Sequence, residues 1–270
     1  MKILLNNNDL NEALNKVSNL GFVPTMGSLH KGHISLIRKS KKKASKTIVS
    51  IFINPKQFNN KKDFKRYPKN HKRDLSILKN LKVNYLYLPK PKQVYDSRRV
   101  KKIQIKKKDK ILCAKYRKGH FEGVLDVMDR LTNLIKPSNI YMGEKDFQQL
   151  YLVKNYLKEK YKVRIISCKT IRDSRKLALS SRNLLLKKNQ LIKAGYLSKN
   201  LIFFKKNLRN KTNLNKLISD KKKELNKLFN FKIEYLELRN VNNFKKSKTI
   251  KNSKLFVAYY IQNVRLIDNF

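Results

Sequence analysis

The sequence predicts an α/β protein built on a parallel sheet, with a smaller C-terminal α+β domain. Three observations carry this expectation. First, β-branched and apolar runs alternate with helix-like segments through the first 170 residues, the order that produces strand–helix–strand units. Second, Val124, Val127, Met128, Leu131, Leu134 and Ile135 form the apolar stripe of a helix with one buried face. Third, all six prolines lie between Pro24 and Pro137, and after Gly143 only Gly195 remains. The first part is therefore punctuated by turns and the last is not. The expected division is a Rossmann-like parallel-sheet domain over residues 1–175 and a C-terminal α+β domain over residues 176–270.

In chain order, strands are expected at residues 21–25 and 47–53, with a helix at 34–44 between them. Further strands are expected at 83–88, 139–142 and 163–168, and the lysine-rich stretch 100–110 reads as a strand with an exposed loop. The last part reads as helices at 184–208 and 214–229, then strands at 232–239 and 255–261. A parallel sheet of this kind binds ligands at the carboxyl ends of its strands, so motifs that follow strands matter most.

Composition narrows the function classes. With 40% hydrophobic and 10% aromatic residues in 270, burial can offset ordering entropy. No apolar run approaches the roughly 20 residues needed to cross a bilayer, and residues 1–11 lack the apolar core of a secretory signal. Cys113 and Cys168 make neither a disulfide framework nor a CxxC pair, which fits a reducing, cytoplasmic setting. The formal charge of +48 would attract any polyanion. Because the lysines are spread over the whole chain without a dense tail, the charge reads as a composition bias and no specific nucleic-acid partner is expected.

The segment Val23-Pro-Thr-Met-Gly-Ser-Leu-His-Lys-Gly-His33 carries the strongest chemical signal. An expected strand runs into a glycine turn at Met26, Gly27, Ser28 and Leu29. His30, Lys31, Gly32 and His33 then open a helix, with both imidazoles on one face at i, i+3 spacing. A helix N-terminus offers partial positive charge and N–H groups to phosphate, and two imidazoles can donate to a phosphate as charge grows on it. Zinc binding is a poor fit, since only His71 and His120 remain as histidines and no acidic or thiol ligand stands at helical spacing. A GxGxxG fingerprint is absent. Read alone, the later segments are ordinary: Gln57 is a loop glutamine after a strand, Asp146 a helix cap, and Ser180-Ser181-Arg182 another cap.

Together these segments resemble the pantothenate synthetase family of pantoate–β-alanine ligases. That family belongs to the HxGH nucleotidyltransferases, which also include class I tRNA synthetases. The likeness runs through Val49-Ser-Ile-Phe-Ile-Asn-Pro-Lys-Gln-Phe58, Tyr67-Pro68 and Arg117-Lys-Gly-His-Phe-Glu-Gly123. It continues with Gly143-Glu-Lys-Asp-Phe-Gln-Gln149, Leu179-Ser-Ser-Arg-Asn183 and Arg265-Leu-Ile-Asp-Asn269. The blocks occur in family order.

The resemblance implies His33 and His30, with Lys145 and Arg182, as catalytic groups. ATP is then the substrate held by residues 26–33, by Gly143, Glu144, Lys145 and Asp146, and by Ile171, Leu179, Ser180, Ser181 and Arg182. Gln57 and Gln149 would contact pantoate and β-alanine. Mg2+ would accompany ATP without a dedicated protein metal site, and the enzyme would be a homodimer. Two departures stand out: Lys118 replaces a proline usual before Gly-His-Phe, and Arg175-Lys176 replaces an Asp-Gly before the Leu-Ala-x-Ser-Ser-Arg run. The alternatives are another adenylyl or cytidylyl transferase on the same fold, and a basic RNA-binding protein that retains an inactive nucleotide fold.

Overall fold

The computed structural model describes residues 1–95, 103–208, 211–229 and 231–270, which divide into two compact units, Met1–Lys169 and Thr170–Phe270. The first unit holds a six-stranded, all-parallel sheet. Its strands are β1 (Lys2–Leu4), β2 (Leu20–Thr25), β3 (Lys46–Ile51), β4 (Tyr85–Tyr87), β5 (Asn139–Gly143) and β6 (Arg164–Cys168). They lie in the order β1-β4-β3-β2-β5-β6. From β2 the chain winds outward through β3 and β4, then returns to the other side of β2 as β5. The direction of winding reverses between β2 and β5, and such a reversal opens a crevice at the carboxyl ends of the two strands.

The helices of this unit are α1 (Asn7–Leu14), α2 (Lys31–Lys43), α3 (Lys61–Arg66), α4 (His71–Asn80), α5 (Pro91–Val94), α6 (Cys113–Tyr116), α7 (His120–Ile135) and α8 (Phe147–Lys158). Helix α2 ends in Lys41, Lys42 and Lys43, where cations complement the helix dipole. It packs tightly on β2 because Gly21 has no side chain: a Cβ there would lie 2.2 Å from Ser40 Oγ and 2.9 Å from Ala44 Cβ. Val23, Ile37, Val49, Leu78 and Leu86 share the core beneath the site and are fully buried. Each such side chain contributes about 1.5–3 kcal/mol relative to exposure. The expected stripe on α7 is real, with Val124, Val127, Met128, Leu131 and Ile135 all buried.

The second unit contains α9 (Lys188–Asn207), α10 (Leu214–Phe229) and an antiparallel sheet of β7 (Lys232–Asn240), β8 (Ser253–Ile261) and β9 (Val264–Asn269). Ala194, Leu197 and Leu201 of α9 and Leu225 of α10 meet Leu255 and Val257 of the central strand in one core. Among the described residues, no helix is long and apolar enough to cross a membrane.

The expected α/β sheet with a smaller α+β unit is what the chain forms, with local differences. The helix expected from residue 184 starts at Lys188. Ser181–Leu185 is a 3-10 turn instead, and Gln190 Oε1 accepts the Lys187 N–H at 2.8 Å where the true helix begins. The strand expected at 83–88 shortens to Tyr85–Tyr87. Of the stretch 100–110, residues 100–102 lie outside the described residues. The rest is irregular with one 3-10 turn at Lys107–Asp109, and no strand forms there.

Candidate active site

The carboxyl end of β2 turns through Met26, Gly27, Ser28 and Leu29 before α2 begins. Gly27 (φ +78°) and Ser28 (φ +52°) are both left-handed, a geometry that glycine adopts without the cost a side chain incurs. Thr25 Oγ1 accepts the Gly27 N–H at 3.2 Å and itself donates to Ser50 O at 2.8 Å. The buried carboxylate of Asp74, from α4, accepts the Ser28 and Leu29 N–H groups, both at 2.7 Å.

His30 is the N-cap of α2 and His33 closes its first turn. His30 Nδ1 accepts the Gly32 N–H at 3.1 Å, and His33 Nδ1 accepts the His30 N–H at 3.4 Å. The rings lie 4.1 Å apart between centroids. Gly32 is required by this arrangement, since a Cβ would stand 2.7 Å from His30 Cε1. The N–H groups expected to be open to phosphate at this helix start are thus partly taken by the imidazoles themselves. With Nδ1 accepting, the proton of each neutral ring resides on Nε2. Neither Nε2 has a hydrogen bond to a described residue.

Electrostatics hold both rings neutral. Burial, helped by the Lys145 charge and opposed by Asp146, lowers the His30 pKa from 6.5 to about 4. Burial, then His30 and Lys145, hold His33 well below 6.5. Lys145 and Asp146 follow β5 in a 3-10 turn, Glu144–Asp146, that also includes Glu144, with their charged groups 3.7 Å apart. The Lys145 side chain is largely enclosed and that of Asp146 is about half exposed. The two histidines at the end of β2 and the lysine at the end of β5 therefore flank the reversal point of the sheet.

Gln57 lies in a 3-10 turn, Pro55–Gln57, after β3 and is buried. Asn54 Nδ2 donates to Gln57 Oε1 at 3.2 Å and to Gly123 O at 3.0 Å, while Gln57 Nε2 donates to Met26 Sδ. Arg117 donates to His120 Nε2 at 2.9 Å, which leaves the His120 proton on Nδ1 for Gln57 O at 2.7 Å. Gly123 lets α7 approach this turn, because a Cβ would meet Lys56 O at 2.3 Å. The Arg117–Gly123 block thus supports Gln57. Gln149 is half-buried on α8; its neighbour Gln148 is buried and donates to Ile111 O at 2.8 Å.

Ile171, Leu179, Ser180, Ser181 and Arg182 belong to the second unit. Ser180 Oγ accepts the Arg182 N–H at 3.3 Å, and the Leu179 N–H donates to Ile171 O at 3.0 Å. Arg172 makes a two-pronged ion pair with buried Asp268 of β9, at 2.7 and 2.9 Å, and also donates to Lys176 O at 2.9 Å. The Arg175-Lys176 substitution leaves a closed turn: Lys176 is left-handed (φ +68°), and Asp173 Oδ1 accepts the N–H groups of Arg175 and Leu177. Gly195 of α9 makes room for it, as a Cβ there would lie 2.6 Å from Arg175 Cβ.

Sequence reasoning missed Asp74, Asn54 and the Arg117–His120 pair as parts of the site's framework. Asp74 has no local signature, being an acidic residue in the first turn of an ordinary helix.

The family model for pantoate–β-alanine ligases matches residues 2–270. The chain is 40% identical to the pantothenate synthetase of Campylobacter hominis over 274 residues, covering 100% of this chain and 99% of that one. Its fold is similar to that of pantothenate synthetase from Thermus thermophilus, with a TM-score of 0.91 and 28% identity, covering 100% of this chain and 99% of that one. It is also similar to the pantoate–β-alanine ligase of Francisella tularensis complexed with β,γ-ATP and β-alanine. There the TM-score is 0.85 at 37% identity, covering 100% of this chain and 97% of that one. On the match over nearly all its length and the identity to these relatives, the chain belongs to the pantoate–β-alanine ligase family.

Proposed function

We propose that this protein condenses pantoate with β-alanine at the expense of ATP, forming pantothenate, AMP and pyrophosphate. A carboxylate oxygen of pantoate attacks the α-phosphorus, the bond from that phosphorus to the bridging oxygen breaks, and pyrophosphate leaves. The β-alanine amine then attacks the acyl carbon of pantoyl adenylate, AMP departs, and the amine loses a proton. The observation that carries this reading is the pair of neutral imidazoles, each with Nδ1 accepting a backbone N–H and its proton therefore on Nε2, at the sheet's reversal point beside Lys145. Such donors stabilise charge developing on the α-phosphate without having to be protonated first.

In this reading His33 is the principal donor and His30 its partner. Lys145 neutralises phosphate charge, and Ser180, Ser181 and Arg182 take the departing pyrophosphate. Gln57 and Gln149 hold pantoate and β-alanine through their amides. The remaining ATP contacts come from residues 26–32, Gly143, Glu144, Asp146, Ile171 and Leu179. Among the described residues no three carboxylate, imidazole or thiol groups gather into a metal site. The half-exposed Asp146 fits a magnesium ion that arrives on the phosphates and meets the protein through water. That ion would supply further neutralisation of the phosphate charge. Two buried free thiols suit a cytoplasmic enzyme, and the family resemblance implies a homodimer.

The test is AMP release with pantoate and β-alanine each omitted in turn. Full release is expected only with both. Release that ignores pantoate would refute the proposal.

A further inference from the structure

We propose that Asp74 is a positioning residue for the adenylation step, clamping the turn that presents His30 and His33. This rests on the ligase reading above. Two successive N–H groups in a left-handed turn form a concavity that ordinarily accepts an external anion such as phosphate. Here the anion is internal. Ser28 N–H donates to Asp74 Oδ2 and Leu29 N–H to Asp74 Oδ1, both at 2.7 Å, with the residue 1% exposed. Bonds of this length from amides to an ionised carboxylate belong to the strong class.

The geometry is tightly matched. A Cβ on Gly27 would lie 3.0 Å from Asp74 Oδ2, so the glycine leaves space for the carboxylate as well as allowing φ +78°. Ser28 is held at φ +52° despite its side chain. The residue immediately after Leu29 is His30, the cap of α2, whose ring packs over Gly32. A change in the turn therefore moves the first imidazole directly and the second through the His30 N–H to His33 Nδ1 bond. Asp74 also decides where phosphate is received. With both turn amides occupied by a carboxylate, the α-phosphate oxygens are left to donors other than the Ser28 and Leu29 N–H groups, the two Nε2–H groups and Lys145 among them.

Asp74→Asn preserves the size of the side chain but turns an amide NH2 toward one of the two backbone N–H groups. The expected result is a fall of at least about 10-fold in kcat for pantoate-dependent exchange of pyrophosphate into ATP, with KM for pantoate within about threefold. A carboxylate that only stabilises the fold would lower the melting temperature and leave kcat at the wild-type value, and that result overturns the inference. A complex of the wild-type protein with a non-hydrolysable ATP analogue gives a check that needs no variant. The Ser28 and Leu29 nitrogens are expected to remain at about 3 Å from Asp74; their transfer to a phosphate oxygen overturns the inference. Wild-type protein without pantoate-dependent exchange would overturn the ligase reading and this inference together. An active wild type with an equally active Asp74→Asn variant would overturn this inference alone.

Discussion

His30 Nδ1 accepts the N–H of Gly32 two residues ahead, and this one bond fixes where the imidazole carries its proton. The neutral ring must be the Nε2–H tautomer, so the group available to a ligand is a donor. His33 is fixed in the same sense by the His30 N–H. The same two side chains thus cap the helix and, in the proposed mechanism, supply the pair of donors.

Gly32→Ala tests this geometry. A Cβ would stand 2.7–2.8 Å from His30 Cε1 and Nδ1, and the obstructed group is a side chain that can swing away. The fold should survive while adenylate formation falls by about 10- to 100-fold, because the first donor is misplaced. Circular dichroism and pyrophosphate exchange on the same sample check both halves.

The lowered imidazole pKa values give a signed pH dependence. His30 titrates near 4 when folded and at about 6.5 when unfolded, so between those values the unfolded chain binds more protons. His33 acts in the same direction. Both contributions to stability are complete above about pH 6.5; that of His30 is lost as pH falls toward 4, and that of His33 is lost in the same direction. Lys145→Gln removes a charge that depresses both, so both pKa values should rise. Histidine ring titration followed by NMR measures this, and unchanged values would contradict the electrostatic account.

Lys176 stands in a left-handed conformation that costs an L-residue about 1–2 kcal/mol. Lys176→Gly relieves that cost but adds freedom to the unfolded chain. The net gain should be about 0.5–1 kcal/mol, a rise of roughly 1–4 °C in melting temperature. A lower melting temperature would mean that the turn is set by the lysine side chain instead.

The Arg172–Asp268 pair joins the segment before Ser180 to the last strand of the second unit. Arg172→Met alone removes the cation from the Asp268 carboxylate, which is 4% exposed and keeps the Asn269 N–H at 2.7 Å, and should cost about 3 kcal/mol. The double variant Arg172→Met/Asp268→Leu should be less destabilised than either single change. Urea unfolding of the three variants decides this.

Features carried by neighbouring residues were legible in the sequence, and those that depend on distant partners were not. The run from β2 into Gly27, His30, Gly32 and His33 reads directly, because strand, turn and helix signals lie within one short segment. The apolar stripe of α7 reads for the same reason. Asp74 meets Ser28 across 46 positions and Arg172 meets Asp268 across 96. Only the folded sheet brings such pairs together, and nothing in the periodicity of either segment announces the other. β1 was missed because three residues carry too little pattern, although its register with β4 is regular. The turn at 173–177 has no glycine to announce it, and Asp173 and Arg172 close it through hydrogen bonds from outside the substituted pair.

In the proposed mechanism, neutral imidazole donors at the end of β2 promote attack on the α-phosphate. Pyrophosphate–ATP exchange in the presence of pantoate and without β-alanine, compared between the wild type and His33→Ala, tests it most directly. Pantoate-dependent exchange is expected in the wild type, with a loss of at least about 100-fold in a variant that keeps its cooperative melt. Exchange near the wild-type rate in His33→Ala would contradict it.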